Sequence, residues 1–321
     1  MSASTSALTA VVALLFAFFL DHAFGEPPAR WHPVVWMGCY LSWTGNGIAP
    51  RRPLPGRDGS TFLAGVLAWS AGAAVVALTA WVLQQGLDGL GGLAAGLLLG
   101  ALLKPLLAWR MLRDEVLAVE AALDLSLAAG RLRLARLVSR DVSQLSEAGV
   151  REAAIESLAE NLCDSVVAPV FWFIIAGLPG AALYRFANTA DAMWGYRGFR
   201  EGADWTWAGK WAARADDLLS WIPARITALL IAMAAWGLPL ARLHREARRT
   251  ASPNSGWPMA AMALALDVRL SKPDSYALNG EAASPLPADT ARAVDINARA
   301  IAVLLAGASL ALWTLQLEWP W

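Results

Sequence analysis

Charge is what this chain has least of. Only 16% of its 321 residues are Asp, Glu, Lys or Arg, against roughly 25% in soluble domains, and mean hydropathy is +0.44. A water-covered chain of this length needs more charge on its surface, so the surplus apolar area has to face lipid. A basic excess is missing too. The 26 Lys and Arg balance 26 Asp and Glu, which removes the electrostatic footprint of a nucleic-acid binder. The two cysteines, Cys39 and Cys163, stand in no metal-type spacing and read as unbridged thiols. His22, His32 and His244 are too scattered to propose a metal cluster. No Lys or Arg precedes residue 30, so the apolar N-terminus lacks the positive flank of a secretory signal, and residues 1–20 are expected to remain as a helix. Several catalytic signatures are absent as well. Gly209-Lys210 runs into Trp211 rather than a hydroxyl residue, so no phosphate loop forms, and H-E-x-x-H, G-x-S-x-G and G-x-G-x-x-G do not occur.

What the chain does have is tryptophan and long apolar runs. Its 17 Trp outnumber 9 Phe and 4 Tyr. Trp31, Trp36, Trp43, Trp81, Trp109, Trp221, Trp319 and Trp321 lie near ends of apolar runs, where membrane-interface anchors belong. Residues 61–83 are uncharged and long enough to span a bilayer, and 90–109 follow after a short turn. The two are expected to form a hairpin whose turn faces outside. Residues 7–20 and 300–315 are further spans. Residues 165–183 and 218–241 are interrupted by Pro and Gly and read as broken or re-entrant segments. In 110–138, Leu112, Val116, Val119, Leu123 and Leu127 recur at helical spacing among charged residues, which predicts an amphipathic helix ending near Gly130 and packed on the cytoplasmic side. Segments 45–59 and 271–287 read as loops. The expected class is all-α: one polytopic membrane-embedded domain over 1–321, with about six apolar segments and cytoplasmic amphipathic helices.

Polar groups gather in four places. Asp21 and His32 flank a Gly25-Glu26-Pro27 turn that can point them into one cavity, the plain alternative being a solvated loop. Arg140 and Asp141 precede Glu156, Glu160 and Asp164, which stand at i, i+4 and i+8 with Asn161 beside them. On one helix these acids form a stripe that suits a hard cation such as Mg²⁺, or pairs with Arg140 or Arg151. Asn188 and Asp191 are i, i+3 neighbours, Arg214 and the pair Asp216–Asp217 follow, and Arg225 lies inside the next apolar run. Arg225 needs a carboxylate, a phosphate or a carbonyl, and an ion pair with Asp216 or Asp217 is one candidate. The Pro- and Gly-bounded turn at 252–258 displays Asn254.

Six stretches occur together in order: FGEPPARWHPVVWMG, SRDVSQLS, ESLAENLCDSVVAPVFW, YRFANTADAMWGYR, AARADDLLSWIPARI and SPNSGWPMAAMA. In this the chain resembles the adenosylcobinamide-phosphate synthase family (CobD/CbiB) of cobalamin biosynthesis over residues 21–270. The resemblance implies an inner-membrane enzyme that joins adenosylcobyric acid to an aminopropanol phosphate or related amino alcohol, with ATP and Mg²⁺. It also implies association with other late-pathway membrane enzymes. Carried onto matching positions, the catalytic candidates are Asp21, His32, Arg140, Asp141, Glu156, Asn161, Asn188, Arg214, Asp216, Asp217, Arg225 and Asn254. Arg140, Arg214 and Arg225 are expected to hold phosphate, and Glu160, Asp164 and Asp191 the metal. Four departures stand out: Glu26 in place of Asp, Val142 in place of Thr, Met259 in place of Glu, and a Leu270–Tyr276 segment without the family's Gly-Gly.

Two other classes fit part of the pattern: a non-enzymatic AmpE-like membrane sensor, and a transporter. A single ATP-using site further requires the four polar segments to share the cytoplasmic side.

Overall fold

The computed structural model describes residues 3–53 and 56–315; Trp319 and Trp321 lie outside them. The helices are α1 (Ala3–Phe24), α2 (Pro33–Ile48), α3 (Gly59–Gln85), α4 (Gly92–Leu103), α5 (Trp109–Leu125), α6 (Leu127–Leu134) and α7 (Glu147–Leu162). They continue as α8 (Ala168–Trp194), α9 (Trp205–Ala208), α10 (Lys210–Leu219), α11 (Trp221–Ala234), α12 (Leu240–Ala247), α13 (Gly256–Leu266) and α14 (Pro287–Leu315). Two small antiparallel hairpins pair β1 (Phe199–Arg200) with β2 (Ala203–Asp204), and β3 (Leu270–Lys272) with β4 (Tyr276–Leu278).

Five helical stretches are long and apolar enough to cross a membrane: Ser6–Phe24, Gly59–Gln85, Gly92–Leu125, Glu147–Trp194 and Pro287–Thr314. Residues 205–234, broken at Ser220, make a sixth if the broken pair counts as one span. The chain is a multi-pass helical membrane protein, as its composition predicts. Trp31, Trp36, Trp43, Trp81 and Trp221 are exposed like anchors, whereas Trp109 is only 8% exposed and belongs to the core.

The chain divides into two compact units. One comprises Met1–Leu107, Ala168–Ser220 and Ala308–Trp321. In it α4 packs chiefly on α1, and α3 on α8, so the expected α3–α4 hairpin does not form as a packed pair. The physical reason is small residues. In lipid, helices associate through close backbone approach at glycine and alanine rather than by hydrophobic drive. A Cβ added at Gly96 would lie 2.7 Å from Val12 Cβ, and one at Gly100 would lie 2.6 Å from the Ala13 carbonyl oxygen. Helix α8 is broken at Ala176–Gly177, inside the run expected to be interrupted. Gln84 of α3 fills the break: its Oε1 accepts the Leu178 N–H at 2.8 Å, which satisfies a donor freed there.

The other unit comprises Ala108–Val167 and Trp221–Gly307. Helix α7 is its centre, contacted by α5, α6, α13 and β3. Leu112, Val116, Val119 and Leu123 of α5 are buried, as the periodicity requires. The predicted single helix ends early, however. Ser126 is extended, and its hydroxyl accepts the Ala129 N–H at 3.1 Å, capping a separate α6 that begins at Leu127. Two expected loops are also partly ordered: α2 runs to Ile48, and β3–β4 occupies part of 271–287.

Candidate functional site

From Val150 to Val170 every residue is buried except Glu160, Asn161 and Asp164. The chain changes helix type at that point. Cys163–Val167 is a π-helical turn, a wider turn that interrupts the α ladder and is frequent at functional sites. Two turns earlier Glu156, 4% exposed, receives Arg140 Nη2 at 2.9 Å. The expected acidic stripe is therefore divided: Glu156 is sealed against an arginine, while Glu160 and Asp164 open toward the surface of the unit. Asn161 Nδ2 donates to the Ser157 carbonyl at 3.0 Å. Asp141 turns back on Ser143, accepting its N–H at 2.8 Å and its hydroxyl at 3.0 Å. Those bonds hold its exposed carboxyl below the ordinary value and make it a turn former.

In the same unit Arg225 meets Asn254. Its Nη1 donates to Asn254 Oδ1 at 2.9 Å and to the Trp221 carbonyl at 2.7 Å, and its Nη2 to the Pro253 carbonyl at 3.1 Å. Trp221 and Trp257 flank the guanidinium at 4.3 and 4.9 Å. These three acceptors are neutral carbonyl oxygens, which orient the guanidinium within the unit.

The remaining candidates lie in the first unit. Asp21, 1% exposed, pairs with Lys104 Nζ at 3.3 Å, and Lys104 reaches Glu26 Oε2 at 3.1 Å. His32 Nδ1 accepts the Val34 N–H, capping α2. Its other nitrogen is then the protonated one, and Nε2–H donates to Glu26 Oε2 at 2.9 Å. Burial opposes ionisation of Glu26, but the His32 hydrogen bond and the Lys104 charge outweigh it and hold the carboxyl below its ordinary value. Glu26 and Lys104 stand in the wall of an otherwise apolar cavity of about 980 Å³, lined by Phe24, Trp31, Tyr40 and Leu178 among others. Farther along, Arg185 Nη1 donates to Asn188 Oδ1 at 3.3 Å, and Asn188 Nδ2 to Asp216 Oδ1 at 3.4 Å. Asp217 feels the charge of Arg197. Asp191 is half-buried and Arg214 exposed.

The structure thus unites Arg140 with Glu156, Arg225 with Asn254, and Asn188 with Asp216. Of the residues expected to hold the metal, Glu160 and Asp164 belong to one unit and Asp191 to the other; among the described residues no group of three His, Cys, Asp or Glu stands out as a ready-made ion site.

The family model described as CobD/Cbib protein matches residues 14–305, a range that contains every one of these clusters. The chain belongs to the CobD/Cbib family. It is 42% identical to the probable cobalamin biosynthesis protein CobD of Methanothermobacter thermautotrophicus, over 84% of this chain and 87% of that one. It is 40% identical to the cobalamin biosynthesis protein CobD of Rhodobacter capsulatus, over 94% and 98%, and 39% identical to the probable CobD of Pyrococcus furiosus, over 83% and 87%. No solved structure matches it.

Within this CobD/Cbib chain, two of the departures meet. The Tyr276 hydroxyl donates to Met259 Sδ at 3.7 Å. Burial pushes the Tyr276 phenol well above its ordinary value, and the charges of Glu156 and Glu160 push it further, so it stays a neutral donor. Glu152, 2% exposed, anchors the same hairpin. It accepts the Ser271 N–H at 2.9 Å and the Ser271 hydroxyl, and pairs with Arg269 at 3.4 Å. Sequence reasoning passed over Lys104, Glu152, Ser271 and Tyr276. Lys104, a lone cation closing an apolar run, carried a readable signal; the others lie in ordinary helix and loop contexts.

Proposed function

We propose that this chain is a cytoplasmic-membrane enzyme of cobalamin biosynthesis that makes adenosylcobinamide phosphate. It would join adenosylcobyric acid to aminopropanol phosphate, or a related amino alcohol, in an ATP-dependent amide-forming step. The observation that carries this reading is the pair of half-buried Arg140 with buried Glu156, beside half-buried Glu160, Asn161 and Asp164 at a π turn, within a family-matched segment. The names of the relatives supply the pathway.

The chemistry asks for particular groups. A carboxylate does not exchange oxide for an amine, so its oxygen first takes the γ-phosphoryl of ATP and ADP leaves. The amine then attacks the acyl carbon, the acyl–oxygen bond breaks, phosphate departs and one proton is released. In this reading Arg140 and Arg225 grip phosphate oxygens. A nucleotide-borne Mg²⁺ needs only one or two protein carboxylates, the rest of its shell being phosphate and water. Glu160 and Asp164 fit that lesser demand, and the ion would neutralise phosphate charge.

The test is product formation. Detergent-purified protein incubated with adenosylcobyric acid, aminopropanol phosphate, ATP and Mg²⁺ is expected to yield adenosylcobinamide phosphate by mass spectrometry, and none without ATP. Asp164→Asn is expected to remain folded and lose about a hundredfold in turnover. Folded protein that makes no product beside an active relative overturns the reading in favour of the sensor or transporter class.

A further inference from the structure

In the unit built around α7, an exposed apolar stripe runs into a cluster of arginines. Ile222, Leu229 and Met233 of α11 are about half exposed, Trp236 just beyond it is 89% exposed, and Leu240 at the start of α12 is 61% exposed. Spacings of seven, four and three residues put the first four near one side of a helix. In a chain that spans the membrane, such a face belongs against acyl chains. Trp236 stands where α11 ends. It has φ +63° and Gly237 φ +116°, and the Gly237 N–H closes the helix on the Ala232 carbonyl at 2.8 Å. An indole so exposed suits the membrane–water interface, apolar on one side and wet on the other.

Helix α12 follows at once. Between 242 and 249 the chain has four arginines and one glutamate. Leu243, Glu246 and Ala247 are buried, whereas His244, Arg245, Arg248 and Arg249 are exposed. Glu246 is engaged inward: it accepts the Asn279 N–H at 2.8 Å and pairs with Arg249 Nε at 3.1 Å. Arg242 Nη2 donates to Asn279 Oδ1. These bonds hold α12 with one fixed face outward, and that face is basic.

We propose that α12 is an interfacial binding site for anionic phospholipid. Trp236 and Leu240 lie along its acyl chains, and Arg245, Arg248 and Arg249 hold its phosphate-bearing headgroup. Basic residues clustered directly beyond an apolar helix attract anionic lipid. The junction of the two halves favours a lipid over a soluble anion or an acidic protein, because a single molecule with an acyl chain and a phosphate meets both.

The test is native mass spectrometry of the full-length detergent-purified protein, titrated with phosphatidylglycerol and with phosphatidylcholine. The wild type is expected to retain phosphatidylglycerol preferentially, and to do so in excess inorganic phosphate. Arg245→Gln combined with Arg248→Gln is expected to weaken phosphatidylglycerol about fivefold per arginine removed, the scale of one basic residue at an anionic surface. Phosphatidylcholine retention and the melting temperature are expected to stay at wild-type values. Arg245→Lys with Arg248→Lys is expected to keep the preference, since the headgroup field acts on charge. Trp236→Asn, asparagine tolerating the left-handed backbone, is expected to weaken both lipids alike. Equal retention of the two lipids by the wild type, or an unchanged preference in the double glutamine variant, overturns the proposal. Displacement of phosphatidylglycerol by inorganic phosphate also overturns it, and leaves the arginine face to a soluble anion.

Discussion

Lys104 shows how much one residue can decide. It is buried between Asp21 and Glu26, and a buried ion pair that loses one partner leaves an uncompensated charge. Lys104→Met is expected to cost about 3–5 kcal/mol, read as a lower midpoint in denaturant unfolding of the detergent-solubilised protein. Glu26 adds a pH dependence whose sign follows from its lowered pKa. Its contribution is fully present above the ordinary value of 4.5 and is lost as pH falls through the lower folded value. Glu26→Gln is expected to flatten stability against pH in that acidic window, measured by thermal unfolding across a pH series. That Asp21 and His32 gather about the turn at Glu26 was legible from their place beyond an apolar helix. That Lys104 joins them was not, because it follows them by some seventy residues and only packing chooses it.

Among elements, α8 is the clearest case of agreement and addition. Its Pro and Gly content announces a break, and the structure puts it at Gly177, with φ +61° and ψ −155°. That conformation is essentially restricted to glycine. A Cβ there would also meet Gln84 Oε1 at 2.6 Å. Gly177→Ala is expected to destabilise by about 1–3 kcal/mol, with Gln84→Leu lowering the melting temperature similarly by stranding the Leu178 N–H. The Gln84 contact lay beyond sequence reasoning because a glutamine at a helix end has no distinctive spacing. The π turn at Cys163–Val167 escaped for a related reason: helix type depends on how neighbouring helices crowd the segment, and the residues themselves read as ordinary helix.

For the whole molecule, burial separates the two thiols. Cys39 is exposed and Cys163 buried. A maleimide reagent is expected to modify Cys39 in the native protein and Cys163 only after denaturation, scored by intact mass. Equal labelling of both before denaturation would contradict the packing around α7. The same packing sets the three acids apart in exposure: periodicity puts 156, 160 and 164 near one face of a helix, but Glu156 is buried against Arg140 while Glu160 and Asp164 are half-buried.

Membrane class, approximate spans, the interrupted segments and family membership were determined by the sequence alone, because each is a local sum: apolar length, breaker residues, or motifs in order. Tertiary structure decided the partners. It paired α4 with α1 through Gly96 and Gly100, gave Arg225 to Asn254, turned Asp141 onto Ser143, and brought Tyr276 to Met259. A partner is chosen by which surfaces can approach closely enough to exclude water or lipid, and that depends on the whole packed chain at once.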